Sequence, residues 1–433
     1  MKVSLSPTSR LAGTRVARSV VLVVALLVGT TLSRHAQAGW NIDTLHKFTG
    51  GLLFGGLLMD SAGRIYGTEA DTNSPYGTVF RLDPPTKNGD AWSVAVLHKF
   101  TGGTDGSYAW GSLIADSNGN LYGITTGAIG HKAGSVFELS PPPKGVPNWT
   151  VTPLYDFTGG TDGGTPYGDL IRDDTGAIYG TTYEAGLNHD CNGGGCGVVF
   201  LLKPPPKGKT RWTETVLHEF TGGTDGANPF GGVVMDRKGV VYGTTYQGGS
   251  IADYGTVYSL TPPAKGKTAW HFKVLHIFSG GADGGYPNAS LTLDASGALY
   301  GTTIRGGSLF YGTAFKLAPA AGKAFWAETV LHNFSAQPDG QSPEGNLIFD
   351  KAGALYGTTF LGGTDGVGMV FKLSPPAKGK EAWTEEHLYD FAGGFNSDGP
   401  SAGLIFDKNH SLYGTTSGNV LHDGGAVFKL TPP

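Results

Sequence analysis

Apolar and polar residues alternate along this chain in short runs, and each run stops at Gly, Asp or Pro. In WTETVLHEF (212–220) a two-residue alternation places Trp212, Val216, His218 and Phe220 on one face of a strand. GVVMD (232–236), VVYGTT (240–245) and GTVYSL (255–260) follow as further strands, the first two joined by a D-x-x-G turn. Beyond residue 38 no stretch keeps a helical apolar period for more than about two turns. The pattern therefore predicts an all-β chain of short antiparallel strands.

The four-strand pattern repeats. A Tyr-Gly pair falls at Tyr66, Tyr122, Tyr179, Tyr242, Tyr300, Tyr356 and Tyr413, in steps of 56, 57, 63, 58, 56 and 57 residues. Trp40, Trp92, Trp149, Trp212, Trp270, Trp326 and Trp383 recur in step, as do Phe48, Phe100, Phe157, Phe220, Phe278, Phe334 and Phe391. Seven copies of four strands predict a seven-bladed β-propeller of four-stranded antiparallel blades filling residues 39–433. If each blade ends on its WTETVLHEF-type strand, the last blade lacks an outer strand, and residues 40–48 supply it, closing the ring. A β-helix would use far fewer residues per coil, and a string of separate domains of this size would have marginal cores.

Composition adds a compartment. Residues 1–38 read as a signal peptide: Lys2, Arg10, Arg15 and Arg18, the apolar run SVVLVVALLVGTTL, then Ala36-Gln37-Ala38 as a cleavage site. A secreted, periplasmic or cell-surface protein with no membrane span after cleavage is expected. That leader holds five of the 31 basic residues and none of the 35 acidic ones, so the remainder has a formal charge of −9. Such a balance argues against nucleic acid or an anionic membrane as partner. Cys191 and Cys196 are the two cysteines, and in an exported chain they are expected to form a disulfide. In the chain-entropy account so short a ring contributes about 2 kcal/mol.

VYGTTYQGG, YGTVYSLTPP and VLHEFTGGTDGANP, with their spacing, resemble the GloVer tandem repeat of exported bacterial proteins, over all seven copies. The resemblance implies a surface or secreted propeller-like protein, often with a C-terminal sorting anchor. It implies no catalytic chemistry and lends no active-site residues. Here the sequence ends at Pro433 without a hydrophobic tail.

Residues present in every copy serve the blade, whereas residues that differ among copies are free to serve a ligand. The Asp of the GGTDG string recurs as Asp105, Asp162, Asp225, Asp283, Asp339 and Asp398. It reads as a turn residue accepting nearby backbone N–H groups; one carboxylate per loop is far from the roughly six to eight oxygens of a calcium site. The D-x-x-G pairs beginning at Asp60, Asp116, Asp236, Asp294 and Asp350 read as hairpin turns. The periodic Trp read as blade core, where full burial contributes about 2–3 kcal/mol each. His46, His98, His218, His276 and His332 give way to Tyr155 and Tyr389 in two copies, so packing and hydrogen bonding are expected there rather than metal ligation. A metal site from the variable loops (His131, His189, Asp190, His422, Asp423) would need three blades to cooperate. No cofactor and no metal are expected. Turns of the PPPKGK type, carrying Lys207, Lys209, Lys265, Lys267, Lys378 and Lys380 among others, should make one face basic.

The position before each inner strand behaves differently. It holds Phe54, Trp110, Tyr167, Phe230, Asn288, Glu344 and Ser401: aromatics in four blades, polar groups in three. At the mouth of a central channel these would form an aromatic arc facing a polar arc, suited to a sugar ring. The expectation is an exported, monomeric, non-catalytic binding or scaffold propeller recognising a glycan or a protein loop. The alternatives are a glycoside hydrolase or lyase using Glu344 and Asp169, which lie two and a half to three blades apart, and a purely structural surface protein, whose channel would be filled by side chains.

Overall fold

The structure is a computed structural model and describes residues 39–433 except 72–75, 88, 128–132, 145, 147, 187–190, 192–193, 321, 323–324, 381, 393–398 and 420–422. The expected leader and Asp398 lie outside the described residues. Each repeat forms a four-stranded antiparallel sheet whose strands follow chain order from channel to rim. The third blade, Ile171–Arg172, Ile178–Thr182, Val198–Lys203 and Thr213–Glu219, is typical. Seven such blades make a β-propeller. The seventh takes Ile405–Phe406, Leu412–Asn419 and Asp423–Thr431 from the end of the chain, and Asn41–Lys47 from its beginning. The closing pair is antiparallel, in register from Asn41↔Thr431 to Lys47↔Ala426.

The core lies between blades. Seven apolar clusters each join one blade to the next, and the cluster of Phe48, Leu53, Leu57, Phe80, Tyr413 and Val427 joins the seventh to the first. Threonines of the YGTT strands add hydrogen bonds across the same gaps: Thr68 to the Gly111 carbonyl, Thr181 to Gly231, Thr358 to Ala402 and Thr415 to Gly55.

The repeated residues acquire physical reasons. The Gly of each Tyr-Gly pair makes room for an aromatic ring on the third strand. A Cβ on Gly180 would stand 2.5 Å from Phe200 Cζ, and one on Gly357 2.6 Å from Phe371 Cζ. The Tyr hydroxyl donates to the aspartate of its own hairpin turn in all seven blades, from Tyr66–Asp60 at 3.1 Å to Tyr413–Asp407 at 3.1 Å. Two turns missed in the sequence join the set, at Asp173 and Asp407; in the latter His410 takes the left-handed conformation (φ 63°) that Gly holds elsewhere. These carboxylates share their end of the propeller with the exposed lysines, so that face is of mixed charge rather than basic.

Two expectations are corrected. The outer strand does not keep one face. Val216 pairs with Phe200 but His218 pairs with Val199, because Leu217 is an extra, bulged residue. Trp212 and Val216 consequently pack towards the preceding blade, while Leu217 and Phe220 pack towards the next. The same irregularity recurs in every outer strand. The periodic Trp pack against the blade cores, one on each apolar cluster, but are half-buried rather than fully buried. Standing where the outer strand begins, they lie against the preceding blade, Trp92 and Trp270 edge-on to Tyr413 and Tyr179 at 6.4 and 6.2 Å.

The GGTDG aspartates form the expected turns. Asp105 accepts the Thr101 N–H at 3.0 Å, and Asp225 the Thr221 N–H at 3.1 Å. Their carboxylates also meet the histidines of the outer strands. Nε2 of His98, His218, His276 and His332 lies 3.1–3.3 Å from Asp105, Asp225, Asp283 and Asp339. In the third-blade loop Tyr155 donates its hydroxyl to Asp162 at 3.0 Å, which is why Tyr and His interchange there. Cys191 and Cys196 are disulfide-bonded.

Candidate binding site at the channel mouth

The chain enters each inner strand through a sharp bend. Tyr108, Thr165, Asn228, Tyr286 and Ser342 hold φ between 53° and 57°, a left-handed conformation that side chains seldom adopt. Backbone bonds over-determine it: the N–H of each reaches the loop of the preceding blade, as Asn228 N to the Cys196 carbonyl at 2.8 Å. Two residues further on, Trp110, Tyr167, Phe230, Asn288 and Glu344 stand at the channel mouth. A small residue follows because the blades nearly touch there. A Cβ on Gly55 would lie 2.3 Å from the Gly111 carbonyl oxygen, and one on Gly345 2.5 Å from that of Ala402.

All seven mouth residues line one cavity of about 280 Å³. Each is half-buried. Phe54 stacks on Trp110 with centroids 4.2 Å apart and planes 15° apart; Trp110 meets Tyr167 edge-on at 5.3 Å; Tyr167 stacks on Phe230 at 5.0 Å. The aromatic arc is thus continuous across four blades. Opposite it stand Asn288, Glu344 and Ser401, the last donating to the Leu53 carbonyl at 3.3 Å.

Below these side chains a second ring decides the shape of the channel. Gly56 N donates to Ser112 Oγ, and Ser112 N to Asp169 Oδ1 at 2.8 Å. From the other side Gly232 N donates to Ser290 Oγ, and Ser290 N to Asn346 Oδ1 at 2.8 Å. Asn346 Nδ2 then meets Asp169 Oδ2 at 3.0 Å, joining the third blade to the sixth across the axis. Asp169 is therefore a bridging group with both oxygens engaged. The sequence reading named it only under the enzyme alternative, as a carboxylate distant from Glu344, and missed Ser112, Ser290 and Asn346. The signal available was the run of small or polar residues two places beyond the mouth position: Gly56, Ser112, Asp169, Gly232, Ser290, Asn346 and Gly403.

Burial alone pushes the Glu344 carboxyl up from 4.5 to about 7, with no neighbouring carboxylate contributing. An acid raised on folding costs stability once it ionises: nothing where folded and unfolded chains both hold the proton, and the full amount above pH 7. Glu344→Gln is accordingly expected to leave the melting temperature unchanged near pH 4 and to raise it at pH 8. Equal melts at pH 8 would show a solvated carboxylate.

Two further aromatics were not anticipated. Tyr183 lies edge-on to Tyr167 at 5.5 Å and to Phe230 at 5.9 Å, and Tyr246 to its side lies within the field of Arg305 and Glu344. Both follow a YGTT motif directly, as does Phe360, and that shared position was the clue. Of the variable-loop candidates, His131, His189, Asp190 and His422 lie outside the described residues, as does the Asp423 side chain.

The sequence model described as the Gloeobacter/Verrucomicrobia repeat matches residues 54–292 and 252–433. Among curated proteins no sequence matches the chain. Among solved structures the chain is similar to a putative oxidoreductase (glucose dehydrogenase) from Thermus thermophilus, at 15% identity and a TM-score of 0.44, over 90% of this chain and 100% of that one. It is also similar to a luciferin-regenerating enzyme, at 13% identity and a TM-score of 0.43, over 91% and 95% of the two chains. A protein of unknown function from Dyadobacter fermentans aligns at 10% identity and a TM-score of 0.44, over 91% and 100%. None of these likenesses bears on what this chain binds.

Proposed function

The chain belongs to the Gloeobacter/Verrucomicrobia repeat family, and we propose that it is an exported, monomeric, non-catalytic binding propeller whose channel mouth takes the terminal ring of a glycan. One observation carries the reading: four aromatics from consecutive blades face Asn288, Glu344 and Ser401 across a single cavity. A sugar ring has apolar C–H faces that pack on aromatic rings and an equatorial belt of hydroxyls that needs donors and acceptors. Glu344 holds its proton to about 7 and so offers both. The volume, near the lower end for small-molecule sites of about 300–1,000 Å³, suits one ring rather than a buried chain. The disulfide supports export, and no helix among the described residues is long and apolar enough to cross a membrane.

The enzyme alternative gains nothing from the geometry. Asp169 is committed to the bridge with Ser112 and Asn346, and no carboxylate acts on Glu344. A structural mouth is favoured by a different observation, the stacking of the aromatics on one another.

A glycan and polysaccharide array with the mature protein separates the two. Binding is expected, and Trp110→Ala with Tyr167→Ala should abolish it while the melting temperature changes little. Binding that survives the double substitution would remove the mouth as the site. A silent array with a sharply lowered melt would assign these rings to packing.

A further inference from the structure

The gap between the outer strands of blades five and six holds chemistry that the other gaps do not. His332, on the strand Ala327–Asn333, and Asp339, in the loop after it, face blade six. On the strand Thr384–Asp390, Glu385 meets His332, and His387 and Asp390 share the face of Glu385, pairing with Phe371 and Met369 as it pairs with Leu373. The bulge at Leu388 is what brings Asp390 to the same face as His387: they pair with Met369 and Phe371, two residues apart on the neighbouring strand.

His387 is the anomaly. At the same register the outer strands of blades one, three, four and five carry Val96, Val216, Val274 and Val330, blade two carries Pro153 and blade seven Thr44. An imidazole has replaced an aliphatic side chain in one blade, and that blade also supplies Glu385 and Asp390. The gap before it has the related trio His276, Asp283 and Glu328, but with Val330 where the histidine would be. Among the described residues the group of His332, Asp339 and Glu385 is the one whose ligand atoms converge to within 4.8 Å of one another.

We propose that this gap is a binding site for a first-row divalent cation of the zinc type, held by His332, Asp339, Glu385 and His387, that staples the outer strand of blade five to that of blade six. The separations support it. His332 Nε2 lies 3.2 Å from Asp339 Oδ2 and 3.4 Å from Glu385 Oε2, and His387 Nε2 lies 3.6 Å from Glu385 Oε2. Ligands about 2.0–2.1 Å from a tetrahedral zinc ion stand roughly 3.3–3.4 Å apart. A further oxygen, Glu385 Oε1, is buried without a hydrogen-bond partner, an arrangement that costs free energy unless positive charge comes close, while Asp390 Oδ1 stands 3.5 Å from His387 Nδ1 and holds that ring in place. Three carboxylates against two imidazoles leave the gap short of cation. Two nitrogen donors favour zinc over calcium or magnesium, which take oxygen shells. His387 was not singled out from the sequence, because the repeated histidine column drew attention to His332 and its equivalents instead.

The test uses the mature chain without a polyhistidine tag, freed of metal by chelation, with zinc, calcium and magnesium chlorides as probes. Calorimetry should show one zinc ion per chain, and zinc alone should raise the melting temperature. Glu385→Gln and His387→Val should each weaken zinc binding by more than the roughly tenfold to hundredfold lost with an outer-shell partner. His387→Val installs the residue that four sister blades already hold at this register, so the variant is expected to fold, and its melting temperature without metal should match or exceed that of the parent. A parent chain that takes up no zinc, or variants that bind it with unaltered affinity, would overturn the proposal; the gap would then be a network of protonated histidines and carboxylates.

Discussion

A chain lacking residues 39–48 is expected to melt on the order of 10 °C lower than the intact protein. The lost strand carries six paired positions against Asp423–Thr431. It also carries Trp40 and Ile42, packed between blades six and seven, and Leu45 and Phe48, packed between seven and one. A fully buried apolar side chain contributes about 1.5–3 kcal/mol. Phe48 is 8% exposed while the other three are half-buried, so the sum is about 4–8 kcal/mol rather than the roughly 6–12 kcal/mol of four fully buried side chains. A domain of this size loses roughly 1–2 °C per kcal/mol. Deletion also bares the edge of Asp423–Thr431, which invites pairing between chains. Calorimetry and light scattering on the truncated chain would show both effects, and a synthetic peptide spanning 39–48 should restore the melt. An unchanged melting temperature would mean that the ring holds without its closing strand.

The second large effect lies inside a blade. Phe371→Ala is expected to cost about 3–5 kcal/mol, because the ring is fully buried and its removal leaves a cavity beneath Gly357. Gly357→Ala alone should cost about 1–3 kcal/mol through overpacking: its Cβ would stand 2.6 Å from Phe371 Cζ and 2.8 Å from Leu347 Cδ2. In the double variant the new methyl fills part of the hole. The combined loss should therefore fall below the sum of the two, a coupling that urea titration of the four proteins would measure. Strict additivity would show that the glycine is kept for some reason other than the ring opposite. The same contact recurs at Gly67 with Phe80, Gly123 with Phe137, Gly301 with Phe315 and Gly414 with Phe428, so the result would explain the Tyr-Gly pair throughout the chain.

Periodicity made the architecture legible. The Tyr-Gly, Trp and Phe columns gave seven units of four strands, and the unmatched strand at residues 40–48 gave the closure, because a strand's pairing capacity is written in its own residues. The identity of the mouth residues was legible for the same reason: seven equivalent positions must gather around one axis once the ring shuts. Side-chain partners were less so. The carboxylate of Asp350, in a turn, and the hydroxyl of Tyr356, on a strand, look independent until the hairpin brings them to 3.2 Å.

What the amino-acid sequence determined alone was the repeating strand, the number of copies and the order in which they join, since these rest on local alternation and on turns of a few residues. Tertiary structure decided everything that needs two blades at once. The leucine bulge that turns half of each outer strand towards its neighbour, the bond from Asp169 to Asn346 across the axis, and the meeting of His332 with Glu385 all join residues distant in the chain. No periodic pattern encodes such meetings; they follow only from the angle and spacing at which the blades pack.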